Sequence, residues 1–297
     1  MSRGGSPTPS SASAYIHGTD AEEQDRLTGL NRLINARCLA ALHLSPGESI
    51  LDVGSGLGQM SRVMARAVAG AAGSSGTDSG AGPTPRLLGI EGSREQLDEA
   101  RRQAEADGET GLVEFRHGDA LSLPLTGKEW GSFDLAHARF LLEHVTDPLA
   151  VVHSMVRAVR PGGRLLLLDD DHDLLRLWPE VPGLAEVWRA YIRAYDRIGC
   201  DPYIGRRLVS LLHEAGAAPV RCEWVFFGAC AGEAGFGGFV ENLAGVILGA
   251  RESTAAAGWI GAAEIDRALA ELRCWGTRPD SAFWYGIALA EGRRPDS

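Results

Sequence analysis

Apolar positions along this chain alternate between two rhythms. Ser49 to Val53 is short, apolar and β-branched, and reads as a buried strand. From Leu57 onward, Met60, Val63, Met64, Ala67 and Val68 keep helical spacing. The alternation then repeats. Arg86 to Ile90 predicts a strand ending in Glu91, and Ser93 caps a helix through Leu97 and Ala100 to about Ala106. Leu112 to Arg116 and Ser132 to Ala138 predict two more strands. Asp147-Pro148 opens a helix carrying Leu149, Val152, Met155, Val156 and Val159, which stops at Arg160-Pro161-Gly162-Gly163 before the strand Leu165 to Leu168. Strands separated by helices imply an α/β fold, with a mostly parallel sheet covered on both faces.

The flanks follow different patterns. Ser, Gly and Pro dominate up to Ser13, so 1–14 reads as a disordered tail. Ala21 to Leu44 predicts a helix capped by Thr19 or Asp20, with Leu27, Leu30, Leu33 and Ile34 on its apolar face. Residues 70–85 are low-complexity and read as a flexible surface loop. Past Asp170, helices are predicted over Gly183 to Ile198 and Gly205 to Ala215, then a strand over Arg221 to Ala229. Glu233 to Cys274 is mostly helical, and Phe283 to Ala290 is a last strand.

The Gly54-Ser55-Gly56 turn between the first strand and its helix is a candidate ligand site. Glycines there let the backbone approach a ligand, and the helix N-terminus offers free N–H groups to a carboxylate or phosphate. The dinucleotide pattern G-x-G-x-x-G fails at Gln59, and no Lys-Ser/Thr follows to make a phosphate-binding loop.

Bulk properties narrow the classes of function. The 297 residues suit one large α/β domain with insertions, and 44% hydrophobic content supports a full core. A net charge of −10 gives no global attraction to nucleic acid or an anionic membrane. The cysteines at 38, 200, 222, 230 and 274 are odd in number and lack metal spacing, which reads as reduced thiols in a cytoplasmic protein. No signal-peptide core or membrane-length apolar run is present.

Leu51-Asp52-Val53-Gly54-Ser55-Gly56-Leu57-Gly58 resembles motif I of the class I S-adenosylmethionine (SAM) methyltransferases, in their small-molecule group. Three later segments resemble the same family in the same order. They are the acid Glu91 ending strand two, the turn Gly118-Asp119-Ala120, and the run Phe133 to Pro148 with the Pro-Gly-Gly segment behind it. The matches cover about Pro46 to Asp170. The resemblance implies a Rossmann-like, seven-stranded sheet with an antiparallel last strand and helical cap insertions. It divides the chain into a lid helix (15–45), a SAM-binding core (46–170), and a remainder (171–297) whose cap occupies about 174–215 and 233–275. SAM is the implied cofactor and S-adenosylhomocysteine (SAH) the product. Asp52, Gly54, Ser55, Gly56 and Gln59 would hold its methionine part. Glu91 would hold the ribose, Gly118, Asp119 and Ala120 the adenine, and Gly92 and Gln96 would also contact the cofactor. Ala138 and Arg139 would lie beside the methionine group, and Tyr15 and His17 would reach it from the lid, with Arg26.

Methyl transfer from a sulfonium is an in-line displacement that depends on positioning, with a base where the acceptor carries a proton. His144, Asp170, Asp171 and His172 are the candidate catalytic residues, at the carboxyl ends of strands four and five. Trp188, Tyr191, Tyr195 and Arg139 are candidate acceptor contacts. The run Asp169 to Asp173 has donors suited to Mg²⁺ or Mn²⁺, but successive strand residues alternate faces, so no metal is assigned. His137-Ala138-Arg139-Phe140 stands where the family's base-methylating members carry Asn/Asp-Pro-Pro-Tyr/Phe, which favours a small-molecule acceptor over nucleic acid. The Ala/Gly/Arg bias suggests a high-GC bacterium, and the expected setting is bacterial secondary metabolism. A non-catalytic SAM- or SAH-binding regulator and a dinucleotide oxidoreductase stay open as rivals. The expected state is a monomer or homodimer, with O-, N- or C-methylation undecided.

Overall fold

The computed structural model describes residues 17–69 and 87–296. The expected tail, Tyr15 and the low-complexity loop lie outside them. Helix α1 (Ala21–Leu42) begins where Asp20 accepts the N–H of Glu23, and it ends at His43 in the left-handed region. Strand β1 (Ile50–Val53) feeds the glycine turn and α2 (Gln59–Ala69). Then come β2 (Leu87–Glu91), α3 (Arg94–Ala106), β3 (Val113–His117) and β4 (Phe133–Arg139). Helix α4 (Pro148–Ala158) is capped by Asp147 and leads into β5 (Val159–Asp170). The remainder holds β6 (Arg176–Trp178), α5 (Leu184–Ile198), α6 (Leu208–Glu214) and β7 (Ala218–Cys230). Helices α7 (Phe236–Gly249), α8 (Arg251–Ala256) and α9 (Ala262–Trp275) precede the last strand, β8 (Ala282–Arg293).

The strands lie in the order β3-β2-β1-β4-β5-β8-β6, and β7 pairs with β8. The first five are parallel, whereas β8 runs antiparallel to β5, β6 and β7. The expected architecture therefore holds, with the three-residue β6 as an eighth strand. Period-two alternation along β5 sends Leu165 and Leu167 to one face of the sheet and Leu166 and Leu168 to the other. The first face is covered by α4 and α6, and the second by α1, α2 and α3. A third core joins α5, α7 and α9 through residues such as Val187, Leu243 and Leu272. That cluster is the helical cap. Helix α6 was expected within the cap, but its Leu208, Leu211 and Leu212 pack on the sheet.

Two connections take irregular paths for physical reasons. No helix follows β4 directly. Asp169 accepts the N–H groups of Leu141 and Leu142, which holds the chain in a turn, and Leu142–His144 makes only one 3₁₀ turn. The Pro161-Gly162-Gly163 segment does not cap α4. It lies within β5 as an irregularity in the β4 pairing, with Gly162 at φ 71°.

Candidate functional site

The carboxyl ends of β1, β2, β4 and β5 open into one cavity of about 240 Å³, walled by α1, α5, α7 and β8. This is where an open α/β sheet binds its ligands. At one end stands the glycine turn. Gly54, Gly56 and Gly58 all take positive φ, and the amides of Gly54 and Ser55 donate to Ile90 O. Glu91 lies beneath the turn, where Oε2 accepts Gly56 N at 2.7 Å and Oε1 accepts Ser93 N at 2.8 Å. Burial raises the pKa of Glu91, and the N–H groups of Ser93, Gly56 and Gly92 pull it part of the way back. With three N–H groups on about four lone-pair sites, the carboxylate keeps room for one ligand hydroxyl. Gln96 lines the wall beside Gly56.

The motif acid Asp52 is buried. It accepts a bond from Ser61 Oγ and pairs with His137 Nδ1 at 2.8 Å. His137 and Asp52 share one register position across β1 and β4, and His137 Nε2 has no hydrogen-bond partner. Sequence reasoning passed over His137 as a site residue. Its signal was its position next to Ala138 and Arg139. Ala138 itself is buried in the sheet core and does not line the cavity.

The expected adenine segment stands apart. Gly118 N donates to Glu91 O, which puts the turn next to Glu91, but Gly118, Asp119 and Ala120 are not in the cavity wall. Asp119 Oδ1 accepts Leu121 N, so this carboxylate closes its own turn. Gly92 is exposed and also off the wall.

Helix α1 covers the cavity and is tied down on three sides. Gln59 Nε2 donates to Thr28 Oγ1 at 3.0 Å. Arg139 donates to Asn31 and Asn35, at 2.6 and 2.8 Å. Arg26 binds Glu23 and reaches Asn242 of α7 at 2.8 Å. His17 Nε2 meets Tyr191 OH at 3.2 Å, and burial lowers its pKa well below the ordinary value. Phe140, on the same wall, holds φ 53°, a left-handed backbone that bulky residues rarely adopt.

The other end is aromatic and acidic. Trp188, Tyr191 and Tyr195 all line it, with ring centroids 4.9 Å apart for Trp188 and Tyr191 and 5.6 Å for Tyr191 and Tyr195. His144, Asp170 and His172 are there too, joined by Glu143 and Tyr285, which sequence reasoning missed. Glu143 sits on the 3₁₀ turn after β4, and nothing local marks it as buried. Tyr285 was legible, since period two on β8 puts it on the face of Phe283 and Ile287, which also line the cavity. His172 Nε2 lies 3.2 Å from Glu143 Oε2, and its Nδ1 lies 3.2 Å from Tyr285 OH. Burial dominates the electrostatics here. It pushes Glu143 up to about 8, and His144 down to about 3 with help from the His172 and Arg26 charges. His172 is lowered and Asp170 is raised well above the carboxylate range.

Asp171 is a correction. Its carboxylate turns away from the cavity and is held by Arg206, with Nε at 2.8 Å and Nη2 at 2.5 Å. Alternation along the chain separates it from Asp170 and His172.

A family model described as a methyltransferase domain matches residues 24–221. An uncharacterised 37.1 kDa protein of a transposon from Streptomyces fradiae is 37% identical over 197 residues, which is 66% of this chain and 51% of that protein. An O-methyltransferase of Pyrenophora dematioidea is 37% identical over 178 residues, covering 56% and 60%. The chain thus spans about half to three fifths of the length of these relatives. Among solved structures, a putative methyltransferase from Bacillus halodurans superposes with a TM-score of 0.54 at 16% identity, over 88% of this chain and 99% of that one. The [4+2]-cyclase SpnF gives 0.52 at 21%, over 88% and 81%. A geranyl diphosphate methyltransferase in complex with SAM gives 0.51 at 15%, over 93% and 91%.

Proposed function

The chain belongs to the methyltransferase-domain family, and from that premise we propose that it transfers the sulfonium methyl of SAM to a small-molecule acceptor. One observation carries the reading. A single cavity joins the Gly54–Gly56 turn and Glu91 at one end to Tyr191, Tyr195, Asp170 and His172 at the other. A cofactor and an acceptor placed there face each other inside one enclosure, which is what an in-line displacement requires.

The residues present fit SAM. Buried Ser55 Oγ and His137 Nε2 face the cavity without hydrogen-bond partners, and Gly54 and Gly56 adopt backbone that a side chain would strain. When bound, SAM supplies an electrophilic methyl group. The glycine turn and Glu91 would hold the cofactor, and Arg139 would offer its charge to the cofactor's carboxylate. Helix α1 excludes water, and the aromatic wall orients an acceptor of partly apolar character. The acidic and imidazole groups at the far end hold the acceptor's polar atom. No helix among the described residues is long and apolar enough to cross a membrane.

The deciding experiment follows labelled methyl from SAM into a cell extract separated into small molecules, protein and nucleic acid. Label in the small-molecule fraction supports the reading. SAH binding with no label in any fraction would favour a non-catalytic SAM-binding protein, and fold alone does not separate the two.

Two variants test the cofactor end. Glu91→Ala is expected to weaken SAH binding by roughly 1–3 kcal/mol, because a buried acceptor of charged character is lost. Calorimetry that finds unchanged affinity would remove Glu91 from the site. Arg139→Ala is expected to raise the Kd for SAH about ten-fold, or ~1.4 kcal/mol. It loses the guanidinium and frees Asn31 and Asn35 of α1 together. A Kd unchanged within error, with α1 still protected from hydrogen exchange, would show that Arg139 does neither.

A further inference from the structure

We infer that Glu143, Asp170 and His172 form a site for one first-row divalent cation, of the Mn²⁺ or Zn²⁺ type, at the acceptor end of the cavity. Its use, presenting a polar acceptor atom to the methyl group, rests on the methyl-transfer reading, but its existence does not. The residues come from separate segments: the 3₁₀ turn after β4, the end of β5, and the 3₁₀ turn His172–Leu174. The fold brings one donor atom from each within 4.8 Å of the others.

A second, independent observation points to a ligand there. Glu143 is 3% exposed and His172 4%. Even so, Glu143 Oε2, His172 Nε2 and Asp170 Oδ1 have no hydrogen-bond partner. Buried polar atoms are nearly always partnered, and an unpartnered one is costly. Two carboxylates and an imidazole crowded into one enclosure must share either protons or a cation, because burial disfavours their bare charges. Of the two guanidinium groups lining the same cavity, Arg139 binds Asn31 and Asn35, and Arg26 binds Glu23 and Asn242 while its charge reaches Glu143 from a distance. A divalent ion would balance both carboxylates.

Distance selects among cations. His172 Nε2 and Glu143 Oε2 are 3.2 Å apart. An ion bonded at about 2.0–2.2 Å sets neighbouring donors roughly 3 Å apart. A substrate ammonium, with each donor about 2.9 Å from nitrogen, needs them roughly 4.5–5 Å apart. This pair is therefore spaced as two donors on one metal ion, closer than two acceptors of one amine would stand. Imidazole with carboxylates suits Mn²⁺ or Zn²⁺ better than Ca²⁺. His172 also has the outer contact that ligating histidines use, since its Nδ1 meets Tyr285 OH at 3.2 Å.

The full chain, stripped with chelator and dialysed, is titrated with MnCl₂ by electron paramagnetic resonance and with ZnCl₂ by calorimetry. SAH binding is measured on the same samples. The expected result is one ion per chain. Asp170→Asn and His172→Gln should each weaken it by about ten-fold or more, with SAH affinity retained. X-ray absorption of the zinc form, which needs no variant to fold, should find one imidazole with oxygen neighbours. Wild-type protein that binds SAH but leaves both ions free at roughly 1 mM would overturn the site and assign the cluster a shared proton. A thiolate or several imidazoles at the zinc, or undiminished binding in both variants, would overturn it as well. Metal binding without SAH binding would uphold the metal site and strike the methyl-transfer reading instead.

Discussion

Replacing Gly58 with valine should weaken SAH binding about a thousand-fold, or ~4 kcal/mol, and lower the melting temperature with it. Two independent strains converge on this position. Gly58 sits at φ 68°, and a Cβ placed there would lie 2.3 Å from Phe115 Cζ and 3.1 Å from Ala100 Cβ. A β-branched residue held in the left-handed region costs roughly 1–3 kcal/mol. Overpacking against a buried ring costs about 1–3 kcal/mol more. Phe115 is only 7% exposed and is wedged between α2, α3 and the sheet, so it cannot swing into solvent. The displaced part is then the turn itself, because Gly58 N donates to Ser55 O and the same turn carries the Gly56 amide held by Glu91. A double variant separates the two strains. Gly58→Ala with Phe115→Leu relieves the clash and leaves the backbone strain, so it should recover part of the affinity lost by Gly58→Ala alone. Binding by Gly58→Val within about three-fold of wild type would mean that the turn does not position the ligand.

That glycine shows where sequence reading reached and where it stopped. The order Gly54, Gly56, Gly58 between an apolar strand and a 3.6-period helix was legible because backbone freedom is a local property. What Gly58 touches was not, since Phe115 lies on β3, far along the chain. The same division runs through the site. Tyr191 and Tyr195, four apart on α5, were legible as a shared helical face, and both line the cavity. Glu143 was not legible. An acid between Leu142 and His144 reads as solvated unless one knows that Tyr195 of α5 and Asp170 of β5 close over it. Asp171 failed in the opposite sense, because the run of acids around it suggested a common face. Arg206, over thirty residues later, takes its carboxylate away from the cavity. The short β6 also escaped, since its three residues lack a buried alternation and its strand character comes from pairing with β8.

Asp169→Ala is expected to destabilise the fold by about 3–5 kcal/mol and to lower its melting temperature by roughly 10 °C. Asp169 is fully buried at the end of β5. Its Oδ2 accepts Leu142 N at 2.8 Å and Leu141 N at 3.2 Å, and its Oδ1 accepts Asp170 N at 3.1 Å. Alanine leaves these amides without that acceptor in a dry interior, at about 1–3 kcal/mol for each that finds no other partner. It also removes the two bonds that fix the chain just after Phe140, whose left-handed backbone persists only where its surroundings enforce it. Burial and the Glu143 charge hold this carboxyl well above its ordinary range, so a neutral amide is the nearer mimic. Asp169→Asn keeps one acceptor oxygen and should lose roughly half as much stability. The functional loss should be lopsided. Glu143 and His144 hang on the released turn, whereas Glu91 and the glycine turn stand on β1 and β2. At a temperature where the variant stays folded, methyl transfer should fall well below wild type while the Kd for SAH moves little. A melting temperature within about 2 °C of wild type would show that the turn stands without Asp169. Equal losses of SAH affinity and turnover would show that the two ends of the cavity do not respond separately.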